Sequence, residues 1–144
     1  MKLVFGCDPN AEDFKQQLME HARSLGHEVT DFGSTDPIYA RVAFKVGEAV
    51  AAKEFDRGIL LCGTGIGVSI AANKVKGCYA ACIHDVYQAE RAQLSNMANV
   101  ITMGSQVIGI NLAKALMEEY LANTWDPECR SFDKVQAILD YEAE

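Results

Sequence analysis

The segment that most constrains the fold is an apolar run that ends in a cysteine and a glycine-rich loop. Residues 58–61 have the composition of a buried strand, and Cys62 follows them directly. Glycine then occupies every second position, at Gly63, Gly65 and Gly67. A helix is predicted from about Ser69 onward. Loop N–H groups and a helix N-terminus hold anions, and their field favours a thiolate over a thiol. A base and an oxyanion site are therefore expected within a few residues of each other.

Strand-like and helix-like segments alternate along the chain, which predicts a parallel sheet with helices on both faces. The predicted strands are 2–7, 27–32, 58–61, 79–83 and 100–103. The predicted helices are 11–25, 42–53, 69–75, 86–96, 111–122 and an additional C-terminal helix, 132–144. We predict one α/β domain over residues 1–144, a three-layer, doubly wound, Rossmann-like sheet with strand order 2-1-3-4-5. Ligands bind outside the carboxyl ends of such strands, where Asp8 and Cys62 are expected to face one pocket.

Charge and composition exclude several classes of partner. The net charge of −7 argues against nucleic acid or an anionic membrane, because both require a basic face. No apolar run approaches the roughly 18 residues of a membrane span, and the apolar N-terminal run is too short for a signal peptide. The five cysteines are odd in number and lack CxxC spacing, so neither a disulfide framework nor a zinc site is predicted. We expect a cytoplasmic protein without a cofactor or a metal.

Known glycine-loop and strand-end motifs do not match this chain. A dinucleotide fingerprint reads G-x-G-x-x-G after the first strand, whereas this loop follows the third strand and reads G-x-G-x-G. The P-loop pattern is absent. A C-x5-R phosphatase loop requires arginine where Val68 or Asp13 stands, and a receiver domain requires Asp and Lys where Cys62 and Gly104 stand. On the loop alone, a tight glycine turn beside a buried thiol remains an alternative.

Three segments together resemble the ribose-5-phosphate isomerase type B / galactose-6-phosphate isomerase family. They are GCD at residues 6–8, CGTGIGVSIAANKVKG at 62–77 and NVITMGSQVIG at 99–109. The resemblance extends from residue 1 to about 135. It implies a homodimer or a dimer of dimers with active sites built across the dimer interface. The implied reaction is a metal-free aldose–ketose interconversion of a small phosphorylated sugar.

The resemblance also implies roles for the residues around the loop. Cys62 is the base that moves a proton between C1 and C2, and Thr64 carries a proton between the two oxygens. Backbone N–H groups of the segment from Gly63 to Ser69 hold the enediolate oxyanion. Asp8 orients sugar hydroxyls, and a second polar residue, Asn96, hydrogen-bonds the substrate.

The phosphate site implied by the resemblance lies near the C-terminus. The family uses two arginines four residues apart, and Arg130 and Lys134 keep that spacing. Residues four apart on a helix share one face. Lysine replaces arginine as a point charge but lacks its bidentate fork. An ordinary solvated charge pair is the alternative interpretation.

Two positions depart from the family's pattern. Pro9 follows the first-strand aspartate, and Ser95 precedes Asn96, where type B members commonly have histidine at both places. The resemblance assigns the second histidine to opening the cyclic sugar, and serine is a poor general base. His84 offers a replacement imidazole, although a peripheral place is favoured for it. Pro9 and Ser95 are retained as substrate-contacting positions.

These departures favour a substrate that needs no ring opening. A tetrose 4-phosphate cannot close a five-membered ring, because the required hydroxyl is esterified. Galactose 6-phosphate or another sugar phosphate remains open. The alternative to a complete enzyme is a galactose-6-phosphate isomerase subunit, or a non-catalytic sugar-phosphate-binding subunit of a hetero-oligomer.

Overall fold

Apolar strands form a five-stranded parallel sheet at the centre of the computed structural model, which describes residues Met1–Glu144. The central strands are buried along nearly their whole length, as a sheet covered on both faces requires. The strands are β1 (Lys2–Cys7), β2 (Glu28–Asp31), β3 (Arg57–Cys62), β4 (Ala80–Cys82) and β5 (Val100–Gly104). All neighbours pair in parallel.

Six helices connect or follow the strands. They are α1 (Glu12–Ser24), α2 (Tyr39–Ala51), α3 (Ile66–Ala72), α4 (Val86–Leu94), α5 (Ile110–Ala122) and α6 (Phe132–Ala143). The predicted fold class and the predicted elements are therefore confirmed. The boundaries differ from the prediction by up to three residues. Helix α2 begins at Tyr39 rather than at residue 42. Helix α3 begins at Ile66 rather than near Ser69, because Gly65 adopts a positive φ of 78° and turns the chain directly into the helix. No helix is long and apolar enough to cross a membrane.

The order of the last two strands differs from the prediction. The sheet runs β2-β1-β3-β5-β4, so β5 and not β4 lies beside β3. All five residues of β5 are buried, as suits an interior strand, whereas the three residues of β4 are partly or fully exposed. The short, small-residue segment therefore takes the edge of the sheet.

Side chains from alternating strand positions divide the core into two clusters, one on each face of the sheet. Leu61 and Cys7 belong to the larger cluster, which includes residues of α1, α4 and α5. Leu60 and Cys62 belong to the smaller one, which includes residues of α2 and α3. The sulfur of Cys62 is thus on the α2/α3 face.

The crossover from β4 to β5 determines where the end of α4 lies. Because the two strands are parallel, α4 must run back from the carboxyl ends of the strands to their amino ends. Hydrogen bonds confirm this: Tyr79 N–H donates to Asn99 Oδ1 at 2.8 Å, and Gly58 N–H donates to Asn99 O at 2.9 Å. Residues 95–99 therefore lie where the strands begin, at the opposite end of the strands from the glycine loop. We call the two ends of the parallel strands the amino edge and the carboxyl edge of the sheet.

Candidate active site

Cys62 is the last residue of β3, and the turn after it brings two groups to its sulfur. Gly65 N–H donates to Cys62 Sγ at an N···S distance of 3.1 Å. Thr64 Oγ1 lies 3.9 Å from the same sulfur. The cysteine is 5% exposed in the single chain, so its sulfur is held in a defined position.

The backbone of strand β5 packs closely against one side of the glycine loop. A Cβ added at Gly65 would lie 2.8 Å from the Met103 carbonyl carbon, and one at Gly104 would lie 2.6 Å from the Thr64 backbone. Thr102 Oγ1 donates a hydrogen bond to Gly65 O at 2.7 Å. The close backbone approach depends on β5 being the neighbour of β3.

The backbone donors available to an oxyanion are fewer than predicted from the segment between Gly63 and Ser69. Gly65 N–H is taken by the sulfur, and Ile66 N–H donates to Thr64 Oγ1 at 3.1 Å. The first turn of a helix leaves its N–H groups without helical partners. The N–H groups of Gly67, Val68 and Ser69 therefore remain available at the start of α3, and those of Gly63 and Thr64 in the loop also have no partner in the chain.

Asp8 stands beside Cys62 at the same edge of the sheet. Its backbone N–H donates to Leu61 O at 3.2 Å, which ties the end of β1 to the end of β3. Its Oδ1 accepts a hydrogen bond from Ala11 N–H at 3.1 Å, and Pro9 opens the short 3-10 turn that this bond caps. Asp8 Oδ2 has no protein partner. We call Asp8, Pro9, Cys62, Thr64 and the glycine loop the carboxyl-edge cluster.

Two residues of this edge were missed by the sequence analysis. The ring of Tyr39, the first residue of α2, occupies the space that a Cβ at Gly67 would need. The Gln106 side-chain amide lies alongside Gly63, with its Cδ 3.6 Å from a Cβ position there. The available signals were a tyrosine before a helical run and a polar side chain after the fifth strand, and neither pattern is specific.

The other buried cysteines are not candidates for the base. Cys7 lies on the opposite face of the sheet, and burial raises the pKa of its thiol to about 12. Burial likewise raises the pKa of Cys78 to about 12. Both are therefore neutral thiols at pH 7.

Four predicted site residues lie away from Cys62 in the same chain. Ser95 caps the C-terminus of α4. Asn96 lines a cavity of about 300 Å³ at the amino edge, together with Tyr79 and Val135. Arg130 and Lys134 are exposed near the start of α6, the helix that also contributes to this cavity. We call Ser95, Asn96, Arg130 and Lys134 the amino-edge cluster.

The expectation that Arg130 and Lys134 share a helix face is wrong. Helix α6 begins at Phe132, so Arg130 lies in the turn before it and only Lys134 is helical. His84 follows β4 at the carboxyl edge, opposite Ser95, and its backbone N–H donates to Gln88 Oε1 at 2.8 Å. One chain therefore does not bring an imidazole to Ser95.

A single chain thus presents half of the predicted site at each edge of the sheet. None of its five main cavities is lined by Cys62. The carboxyl-edge cluster combines a thiol, a hydroxyl, a carboxylate and free backbone donors. That set is suited to proton transfer next to a developing oxyanion.

Comparisons with known proteins identify the family of the chain. A ribose-5-P isomerase B of Listeria innocua is 47% identical over 124 residues, which are 84% of each chain. A D-erythrulose-4-phosphate isomerase 2 of Mycolicibacterium smegmatis is 43% identical, with 99% of this chain and 97% of the relative covered. The solved ribose-5-phosphate isomerase B of Clostridium thermocellum superposes with a TM-score of 0.93 at 36% identity, covering 99% of this chain and 98% of that one. The family model described as Ribose/Galactose Isomerase matches residues 3–138. The chain therefore belongs to the ribose/galactose isomerase family.

Proposed function

We propose that this chain is a metal-free aldose–ketose isomerase of a phosphorylated tetrose, with Cys62 as the base. The observation that carries the proposal is the position of the Cys62 sulfur at the end of β3, between Gly65 N–H and Thr64 Oγ1. Isomerisation requires one group that removes a proton from C2 of the aldose and returns it to C1. A single thiolate on one face of the substrate does both.

The hydroxyl of Thr64 is placed for the second proton transfer. Its Oγ1 already accepts Ile66 N–H, so the hydroxyl is oriented while its own proton stays available. It carries a proton between O1 and O2 of the enediolate. The N–H groups of Gly67, Val68 and Ser69 stabilise the negative oxygen, and losing one such donor typically costs about 3 kcal/mol of barrier.

The nature of residue 95 favours a short substrate. A ring-forming pentose phosphate must have its ring opened before isomerisation, with one proton given to the ring oxygen and another removed from the anomeric hydroxyl. Ser95 is a poor general acid and a poor general base for that step. A tetrose 4-phosphate is open-chain because its terminal oxygen is esterified. The 43% identity to a protein named D-erythrulose-4-phosphate isomerase 2 supports this choice.

The proposal includes a homodimer in the cytoplasm. A second copy would bring its amino-edge cluster to the carboxyl-edge cluster of the first, so that Arg130 and Lys134 bind the phosphate. Ile66 and Ile70 of α3 are 57% and 58% exposed and lie one turn apart, which gives apolar surface for such a contact. The five free cysteines fit a reducing compartment.

The test is exchange of the substrate's C1/C2 protons with deuterated water, using the purified chain and a panel of tetrose, pentose and hexose phosphates. We expect the highest kcat/KM with erythrulose 4-phosphate. Cys62→Ala is expected to lower exchange by roughly 10²–10⁴-fold, because a positioned base is lost. Cys82→Ala, at an exposed cysteine of β4, is the matched control and is expected to keep full activity.

Each contrary result removes a different part of the proposal. Activity retained in Cys62→Ala removes this cysteine from the mechanism. A higher kcat/KM with ribose 5-phosphate removes the tetrose assignment. No exchange with any substrate favours a non-catalytic sugar-phosphate-binding subunit.

A further inference from the structure

Arg91 of α4 carries the one buried side-chain nitrogen or oxygen atom that has no hydrogen-bond partner in this chain, its Nε. The rest of its guanidinium is engaged. Nη1 donates to Ser95 Oγ at 3.2 Å, and Nη2 lies 3.1 Å from a carboxylate oxygen of Glu90. An orphaned buried donor is unusual in a folded protein.

The backbone carbonyl of Arg91 is also fully used. It accepts Ser95 N–H at 3.0 Å and Asn96 Nδ2 at 3.0 Å, and a carbonyl oxygen has two lone pairs. A serine at a helix end commonly donates its hydroxyl to the carbonyl four residues back. Here that carbonyl already accepts two hydrogen bonds, so the Ser95 hydroxyl does not donate its proton to α4.

These bonds define what the two neighbours offer to a ligand. Arginine only donates, so Ser95 Oγ accepts from Arg91, and its own proton points elsewhere. Asn96 donates its Nδ2 to the backbone, which leaves its Oδ1 as an acceptor. A hydroxyl donor and an amide acceptor on adjacent residues match a single sugar hydroxyl, which both donates and accepts.

We infer that Arg91 is a positioning residue that fixes Ser95 as a donor and keeps it beside Asn96 for recognition of one hydroxyl of an open-chain sugar phosphate. The inference rests on the proposed function, and it gives Ser95 a role in binding rather than in proton removal. A guanidinium at the Ser95 oxygen also disfavours proton uptake there, so the pair suits a substrate that needs no ring opening.

A double-mutant cycle on the full-length enzyme tests the inference. The variants are Arg91→Gln, Ser95→Ala and their combination, assayed for kcat and KM with erythrulose 4-phosphate. Each single change is expected to raise KM about five- to tenfold while kcat stays within about twofold, because a hydrogen bond present in both ground and transition states is lost. The KM of the double variant is expected to match that of the single variant with the higher KM, since both changes remove the same interaction.

Two further variants separate positioning from a merely structural role. Arg91→Lys retains a donor and is expected to restore most of the lost affinity. Arg23→Gln makes the same charge change at an exposed site on α1 and is expected to leave KM unchanged. The thermal midpoint of every variant reports whether folding is intact.

The outcomes that overturn the inference differ from those that overturn the function. If the wild-type enzyme is active and the two KM effects multiply, Arg91 does not act through Ser95. If Arg91→Gln leaves KM unchanged, or if Arg91→Lys rescues nothing, the positioning role is also refuted. A wild-type chain that exchanges no substrate proton refutes the proposed function, and this inference falls with it.

Discussion

Two glycines of the loop after Cys62 are required for different reasons. Gly65 has φ of 78° and approaches the backbone of Met103 and Gly104, so a side chain there is both strained and blocked by backbone. Gly67 is blocked only by the ring of Tyr39, which is 40% exposed. Glycine at position 65 is therefore needed for the backbone conformation of the loop, whereas glycine at position 67 only leaves room for an exposed ring.

We expect Gly65→Ala to lower the free energy of unfolding by about 1–3 kcal/mol, because a non-glycine residue is forced into the left-handed region. The same change would move the N–H that faces Cys62 Sγ, so kcat should fall as well. Urea unfolding and deuterium exchange on the same preparation measure both effects.

Gly67→Ala is the matched comparison. It should displace the Tyr39 ring at a cost of less than about 1 kcal/mol, because the ring has solvent to move into. Equal loss of stability in the two variants would contradict the distinction between backbone and side-chain crowding.

For individual residues, the sequence predicted features that neighbouring residues encode and missed contacts between segments that are far apart in the chain. The places of Cys62 at a strand end and of Thr64 in the following loop could be predicted, because neighbouring residues encode them. The contact of Tyr39 with Gly67 could not, because it depends on how α2 packs across the sheet. The occupation of Gly65 N–H by the sulfur likewise follows from the turn geometry rather than from residue spacing.

Helix α1 is fixed to β2 by a buried lysine. Lys15 is fully buried, and its Nζ lies 2.7 Å from Asp31 Oδ1 and 2.9 Å from Glu12 Oε2. Burial alone would lower the pKa of Lys15, but its hydrogen bonds to the two carboxylates outweigh this and raise it. A hydrogen bond with Ser34, followed by the one with Lys15, lowers the pKa of Glu12 to about 2.

The signs of these shifts define a pH window. The contribution of Glu12 is complete above its ordinary value of 4.5 and disappears as the pH falls towards 2. The contribution of Lys15 is complete below its ordinary value of 10.5 and disappears as the pH rises through the raised pKa. The cluster therefore stabilises the fold most between these two limits.

We expect Lys15→Met to lower the free energy of unfolding at pH 7 by about 1–3 kcal/mol, less than for fully buried partners because both carboxylates are partly exposed. The deficit should shrink at pH 3, because this pH lies between the lowered pKa of Glu12 and its ordinary value, so that unfolding there protonates Glu12. Lys45→Met, at an exposed lysine of α2, is the control, and urea unfolding at the two pH values is the measurement. A deficit that does not change with pH would show that lost packing, rather than charge, is responsible.

The types of the elements were predictable from the sequence, but the order of the last two strands was not. Segments 79–83 and 100–103 are both short and apolar, and residue pattern alone does not say which pairs with β3. The chain places β5 there because its five residues bury completely, while β4 ends in the exposed Cys82.

The largest-scale feature of the molecule is the separation of its predicted site residues by the sheet. Cys62 and Asp8 lie at the carboxyl ends of the strands, whereas the C-terminus of α4 carries Asn96 to the amino ends. The sequence supplied the residues but not the edge on which each one lies. That division follows from the direction of a crossover helix, so it is fixed once β4 and β5 are parallel.

If two copies share their sites, two inactive variants should complement each other. Cys62→Ala disables the carboxyl-edge cluster, and Asn96→Ala combined with Arg130→Ala and Lys134→Ala disables the amino-edge cluster. In a mixed dimer one site would carry both defects, and the other would be intact. Random pairing of equal amounts should then restore about a quarter of the wild-type activity, because half of the dimers are mixed and each has one good site.

The measurement is the rate of C1/C2 proton exchange after co-expression, or after unfolding and refolding the two variants together. The control mixes Cys62→Ala with Thr64→Ala, whose defects lie at the same edge, so every site in every dimer keeps at least one of them. That mixture should stay inactive. Equal activity in both mixtures, or none in the first, would mean that each chain completes its site without residues from the opposite edge of another copy. Recovery in the first mixture alone would show that the sheet separates the catalytic thiol from the substrate-binding amide, and that pairing of two chains reunites them.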